Sequence, residues 1–160
     1  MRIRNSRQAP VARLDDTDKS ILEILRVNGR ATNLEVAERL SISAATVSAR
    51  IARLEKAKAM RVVAVSDFSA HDLNVLIAVG IKVRGRTPHQ VGIDIAALPE
   101  VLSVNVMMGA CDLELLVGLH TFDEVKRFMF DKVATIPGVS SAELGIAADI
   151  VKFDFNLAPL

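Results

Sequence analysis

The sequence predicts an α+β chain in two parts, three short helices followed by a βαββαβ unit. Three observations carry this. Up to about residue 58 the apolar residues recur at helical spacing, whereas after residue 74 they form short β-branched runs broken by two more helical stretches. Cap and turn residues fall between the periodic segments. The charge divides along the same line: through Ser66 there are 13 Lys and Arg against 7 Asp and Glu, a net of +6, and the remainder holds 7 against 12, a net of −5. A basic part joined to an acidic part suggests that only the first meets a polyanion; chance segregation of surface charge is the alternative.

In chain order, residues 1–12 carry Arg2, Arg4 and Arg7 without apolar periodicity. They read as a mobile arm, either a disordered tail or a contact to DNA backbone. Asp15 is suited to N-cap a first helix over Asp16–Asn28, with Asp16 and Asp18 at its positive end. Ile21, Leu22, Ile24 and Leu25 form its core face, and Gly29 is expected in the left-handed position that ends it. Thr32 and Glu35 make a capping box for a second helix to Leu40, with Leu34, Ala37 and Leu40 inward. Ser41-Ile42-Ser43 is a turn with Ile42 as its plug, and Ser43 caps a third helix, Ala44–Lys58. Val47, Ile51 and Leu54 make one apolar stripe there. Ser43 at its start and Thr46, Ser48, Ala49, Arg50 and Arg53 off the stripe are small and polar first, basic later. A helix packed by one face and offering such groups on the other can enter a major groove, with Arg bonding guanine or phosphate. The alternatives are an ordinary helical hairpin with a solvated basic face and, for Arg50, an ion pair inside the domain.

Arg61–Asp67 (RVVAVSD) reads as a strand serving as wing or linker. Val75–Val83 is a buried strand, Thr87 caps a helix with Pro88 at its first position, and Val91, Ile95 and Leu98 are its stripe. Val101–Met108 and Leu113–His120 are strands joined by a tight turn at Gly109–Asp112. Thr121 and Glu124 suggest another capping box, before a helix carrying Val125, Phe128, Met129 and Val133. Val139–Ile146 is a fourth strand, and Ile150–Phe155 an edge fifth. The order strand, helix, strand, strand, helix, strand is the split βαβ arrangement. The expected architecture is thus an N-terminal winged helix-turn-helix domain (13–61), a linker (62–73) and a ferredoxin-like βαββαβ domain (74–160). Two helices cover one sheet face, and the other, expected to be apolar and bare, predicts self-association.

Composition narrows the function classes. A 51% hydrophobic fraction supplies a core, while the absence of Tyr and Trp argues against stacking on single-stranded nucleic acid. The apolar runs are too short for a membrane span of about 20 residues, and no apolar segment follows the basic N-terminus as in a secretory signal. The single cysteine, Cys111, excludes an internal disulfide framework and fits a reducing cytoplasm. His71, His89 and His120 lack partners at metal-ligand spacing. No nucleophile elbow, phosphate loop or paired catalytic carboxylates are present, so neither an enzyme nor a bound cofactor is expected.

Four segments resemble one family, the Lrp/AsnC (leucine-responsive, feast/famine) bacterial transcriptional regulators. LDDTDKSILEILRVNGRAT is similar to its opening helix and Asn-Gly-Arg turn. LSISAATVSARIARLEKA is similar to its recognition helix, through Arg50-Ile51 and Arg53-Leu54-Glu55. LPEVLSVNVMMGACDLEL is similar to its effector-domain segment with Gly-x-x-Asp, and FMFDKVATIPGV to the helix and Pro-Gly-Val before the last strand. Together they span roughly residues 13–150. Lys58 stands where the family usually has Gly, and Ala142 and Leu144 stand at positions often held by Thr. The resemblance implies a double-stranded DNA partner and an amino acid or related metabolite as effector. It also implies homodimers that assemble into tetramers or octamers, so that two reading helices face a pseudo-palindromic operator. It places the effector site around Met108, Gly109, Ala110 and Asp112 with Val139, Ser140 and Ser141, although Gly109 and Asp112 are also ordinary turn residues. The competing function class is a ferredoxin-like metabolic subunit that binds a small molecule, its N-terminal helices serving assembly only.

Overall fold

The computed structural model describes residues 13–153. They divide into two units, residues 13–65 together with Phe153, and Ser66–Lys152. The basic arm and the end of the expected fifth strand lie outside the described residues.

The first unit is three helices, α1 (Asp16–Val27), α2 (Asn33–Leu40) and α3 (Ala44–Lys56). Asp15 caps α1 by accepting the Asp18 amide, and the Asp18 carboxylate accepts the Asp15 amide in return. The reciprocal partner was not foreseen, because Asp rarely stands where Glu or Gln completes such a box. Gly29 does not end α1 in the left-handed region. Asn28 ends it in extended backbone, its side chain accepting the Arg30 amide. Thr32 and Glu35 form the expected box on α2. The left-handed residue is instead Ser41, at φ 53°, which turns the chain so that the Ile42 amide reaches the Ala37 carbonyl. Ile21, Val36, Ala37 and Val47 form the buried core, with Ile24, Leu25, Leu40, Ile42 and Ile51 packed around it. Val36 takes the place foreseen for Leu34, which is exposed. Lys58 follows α3 in the left-handed region at φ 53°.

The strand expected over Arg61–Asp67 is absent: the segment is irregular until a short 3₁₀ turn at Phe68–His71, and Val62, Val63 and Val65 are exposed. β-branched residues favour extended backbone, but a strand also needs a neighbour for its hydrogen bonds.

The second unit runs β1 (Val75–Val83), α4 (Pro88–Ala96), β2 (Val101–Val106), β3 (Leu113–Leu119), α5 (Phe122–Arg127) and β4 (Val139–Ile146). The four strands pair antiparallel in the order β2-β3-β1-β4, the ferredoxin-like topology. Val75, Ile77, Val79 and Ile81 alternate toward the core with Leu113, Leu115, Val117 and Leu119. The helices cover them with Val91, Ile95, Val125, Phe128, Met129 and Val133. Thr87 and Pro88 start α4 as foreseen, and Gln90, not singled out in the sequence, completes a capping box with Thr87. Thr121 makes no side-chain cap; Glu124 accepts the His120 amide instead. The helix does not continue regularly but widens into a π-turn over Phe128–Val133. The described part of Ile150–Phe155, through Phe153, is not a strand.

The opposite sheet face is less apolar than expected. Along β1 it presents Leu76, Ala78, Gly80 and Lys82, and Gly80 lies between Glu114 on β3 and Glu143 on β4. Leu116 and Leu102 extend its apolar middle, so charge is confined to one end.

Candidate nucleic-acid interface and ligand-binding loop

Helix α3 places Val47 in the first unit's core with Ile51 packed beside it, and Leu54 on the same stripe is also fully buried. Its other side carries the residues singled out for DNA. Ser43 is tied to Thr46, accepting its amide at 3.1 Å and sharing a hydroxyl hydrogen bond at 2.8 Å. Thr46, Ala49, Arg50 and Arg53 then line one shallow groove with Ala45 and Asp15. Ser48 is exposed and outside that lining.

The two arginines are not free side chains. Arg50 Nη1 donates to Asp15 Oδ2 at 2.7 Å and to Asp18 Oδ1 at 2.8 Å. Arg53 Nη2 donates to Asp18 Oδ2 at 2.6 Å. Both remain partly accessible, Arg50 at 27% and Arg53 at 47%, while the Asp18 side chain is completely buried. Burial pushes the Asp18 carboxyl up, but hydrogen bonds from Arg53, the Asp15 amide and Arg50 outweigh it and hold its pKa at about 2. Asp15 is lowered by the Arg50 guanidinium and the Asp18 amide, and Arg50 is raised by Asp15 and Asp18. The intradomain ion pair weighed for Arg50 is therefore present, and Arg53 shares it. Asp15 was legible as a cap and Asp18 as a carboxylate at the positive end of α1. Their contact with residues 32–35 positions away along the chain was not, because no local pattern encodes it.

In the second unit the loop after β2 is tied to β1. The Met107 amide donates to the Asp112 carbonyl at 2.9 Å, and the Asp112 amide to the Ile81 carbonyl at 2.8 Å. The pairing of β1 with β4 shifts between Lys82 and Val83. The Asp112 carboxylate accepts the Val83 amide there at 2.8 Å. Ser140 Oγ donates to the Lys82 carbonyl at 3.0 Å, Ser141 lies opposite Lys82, and Val139 packs on the core. Lys82 Nζ approaches the Gly109 carbonyl at 3.5 Å. Gly109 sits at φ 145°, and Met108 and Ala110 are exposed. The candidate effector residues thus meet around the end of β1, from two segments about 30 residues apart. Lys82 belongs with them and was missed, since in sequence it is only a polar residue alternating in a strand. Among the described residues no three His, Cys, Asp or Glu side chains form a metal site, and no helix is long and apolar enough to cross a membrane.

Comparison with known proteins agrees with this division. Residues 14–57 match a family model described as winged helix-turn-helix DNA-binding, and residues 76–157 one described as the Lrp/AsnC ligand binding domain. An HTH-type transcriptional regulator of Pyrococcus abyssi is 29% identical over 157 residues, covering 97% of this chain and 97% of that protein. One from Pyrococcus horikoshii is 30% identical over 149 residues, covering 91% and 99%. Among solved structures, a transcriptional regulator–L-Met complex from Neisseria meningitidis aligns with a TM-score of 0.81 at 26% identity, over 91% of this chain and 97% of that one. AsnC of E. coli shares the fold, with a TM-score of 0.81 at 20% identity over 88% and 96%. With archaeal and bacterial proteins both represented, the match carries the family without a bacterial source. A DNA-binding helical unit and a ligand-binding sheet unit in that order make this chain a transcriptional regulator of the HTH type, and it belongs to the Lrp/AsnC family.

Proposed function

We propose that the protein binds specific double-stranded DNA through α3 and that a small effector, an amino acid or a related metabolite, alters that binding. The observation that carries the DNA reading is the division of α3: Val47 and Leu54 are buried, while Thr46, Ala49, Arg50 and Arg53 line an accessible groove. Ser43 and Ser48 flank this surface. Residues 13–61 are the DNA-binding domain in this reading, 62–73 a linker, and 74–160 the effector and assembly domain. Hydrogen bonds from polar side chains to base edges would supply sequence preference, and the remaining cations of the basic part would supply phosphate contacts.

The effector reading rests on the cluster at the end of β1. Met108, Gly109, Ala110 and Asp112 stand beside Val139, Ser140 and Ser141, with Lys82 between them. A cation, hydroxyls and loop amides next to apolar strands suit a zwitterion. The N. meningitidis regulator, whose structure is a complex with L-Met, is a precedent for an amino acid in such a fold. Two copies pairing through the bare sheet face, and dimers then associating further, would present two α3 helices to a pseudo-palindromic site. The setting in this reading is cytoplasmic, and no reaction is catalysed.

The test is anisotropy titration of the full chain against labelled duplex from its own upstream region and against random duplex, over a range of salt. Tighter binding to the former, falling linearly in log affinity with log salt, is expected. No binding to either duplex at low salt would overturn the DNA reading. Calorimetry against a panel of amino acids and keto acids tests the effector, and a panel without any binder rejects that chemical class.

A further inference from the structure

The groove on α3 holds a balanced set of charges. Arg50 and Arg53 contribute two positive charges, and Asp15 and Asp18 two negative ones. Asp18 is completely buried, behind the residues that line the groove, and binds both guanidiniums. Asp15 stands at the rim, 54% exposed, and takes a second bond from the same Arg50 nitrogen. Each guanidinium has five N–H donors, and the bonds to Asp15 and Asp18 are donated by Arg50 Nη1 and Arg53 Nη2 alone. Donors on the outer edges therefore remain for a partner, in an orientation set by α1.

Two properties follow. A cation paired with a carboxylate attracts a polyanion weakly, because the partner's field cancels its own beyond a few ångströms. Its remaining N–H groups are nevertheless directional and pre-ordered, so less rotamer entropy is lost on contact. Resting on the proposal that α3 faces DNA, we infer that Asp15 and Asp18 are specificity determinants of this protein. They position Arg50 and Arg53 and cancel their net charge, so that α3 contributes directional hydrogen bonds to the correct duplex and little attraction to any other. Asp15 is the decisive member, since it lies at the rim where DNA would approach. Asp18 is the positioning residue beneath.

The test uses Asp15→Asn in the full chain. Asn is as good an N-cap as Asp, so the helix start is preserved while one negative charge is removed from the groove. Asp16→Asn is the control. It removes the same charge from the same helical turn, where Asp16 pairs only with Lys19 among the described ion pairs and lies outside the groove. The readout is the salt dependence of binding to random duplex, which counts released counterions and which a purely structural role would not move. Asp15→Asn is expected to steepen the log–log slope by about 1, so that its affinity falls roughly three- to fourfold more than the wild type's between about 50 and 200 mM salt. Its preference for upstream over random duplex is expected to narrow, with Asp16→Asn like the wild type. Equal slopes for wild type and Asp15→Asn, or the same change in both variants, would overturn the inference while leaving α3 as the DNA-binding helix. If neither wild type nor Asp15→Asn binds duplex, the placement of α3 on DNA fails and the inference falls with it.

Discussion

Asp18 carries the first unit's most concentrated electrostatics. Three donors converge on a carboxylate with no exposed surface, and replacing it by Asn would leave the two arginines without their shared anion. Asp18→Asn should cost about 2–4 kcal/mol, measured by urea unfolding, with most of the loss in the helical unit. The same carboxyl sets an acid limit. Its folded pKa of about 2 lies below the roughly 3.9 of an unfolded Asp, so the unfolded state takes up the proton first as pH falls. The contribution is complete above about pH 4 and disappears as pH drops through about 2. Melting temperature should decline over that window in the wild type, and less steeply in Asp18→Asn. Lys58 is the converse case, a residue whose backbone is unfavourable for its type. At φ 53° a Cβ is strained, and Lys58→Gly should stabilise by up to about 1 kcal/mol after allowing for glycine's greater unfolded-state freedom. An unchanged or lower unfolding midpoint would show that the strain is relieved in solution.

At the scale of elements, two connections hold the sheet unit in register. The first is Asp112 on the Val83 amide, where the β1–β4 ladder slips by a residue and cannot supply an acceptor of its own. Asp112→Ala should cost about 1–3 kcal/mol and speed hydrogen exchange at Val83. A loss of ligand binding in that variant is therefore interpretable only beside its stability. The second is the turn before β4. Arg86 Nη1 donates to Asp94 Oδ2 at 2.7 Å and to the Pro137 carbonyl at 2.8 Å. Gly138 follows at φ 99°, where an added Cβ would stand 2.9 Å from Cγ2 of the buried Val91. Gly138→Ala should destabilise by about 2–4 kcal/mol, combining backbone strain with overpacking. A calorimetric melt near the wild type's would mean that α4 can shift to make room.

For the whole molecule, the two units share one regulatory task only if ligand and DNA affinities are linked. An effector acts by binding one assembly better than another, and 1–3 kcal/mol of coupling corresponds to about a 5- to 150-fold change in affinity. The expected outcome is that the ligand found by calorimetry changes both the mass distribution in light scattering and the affinity for upstream duplex. Ser140→Ala with Ser141→Ala should weaken the ligand more than the DNA. A ligand that binds tightly and moves neither quantity would separate the sheet unit from regulation. A monomer at micromolar concentration would remove the assembly route.

Local chemistry was enough to read most elements from the sequence. Thr32 with Glu35, Thr87 with Pro88, and the alternation of Val75–Val83 each place an element through contacts only a few residues long. The order of those elements then specified the ferredoxin-like sheet. The charge division and the small, polar side of α3 pointed to DNA for the same reason, since composition and helical phase are local properties. Tertiary structure decided what those groups are tied to. The sequence allows an ion pair for Arg50 but names no partner, and Arg53 reads as a free cation, until α1 brings Asp15 and Asp18 against them; Asp112 reads as a turn residue until the Val83 amide needs an acceptor. Arg61–Asp67 has the composition of a strand, but strand formation depends on a partner that sequence periodicity does not reveal. In each case the missing information is a contact between residues far apart in the chain, whose energy depends on burial and geometry that exist only once the chain has folded.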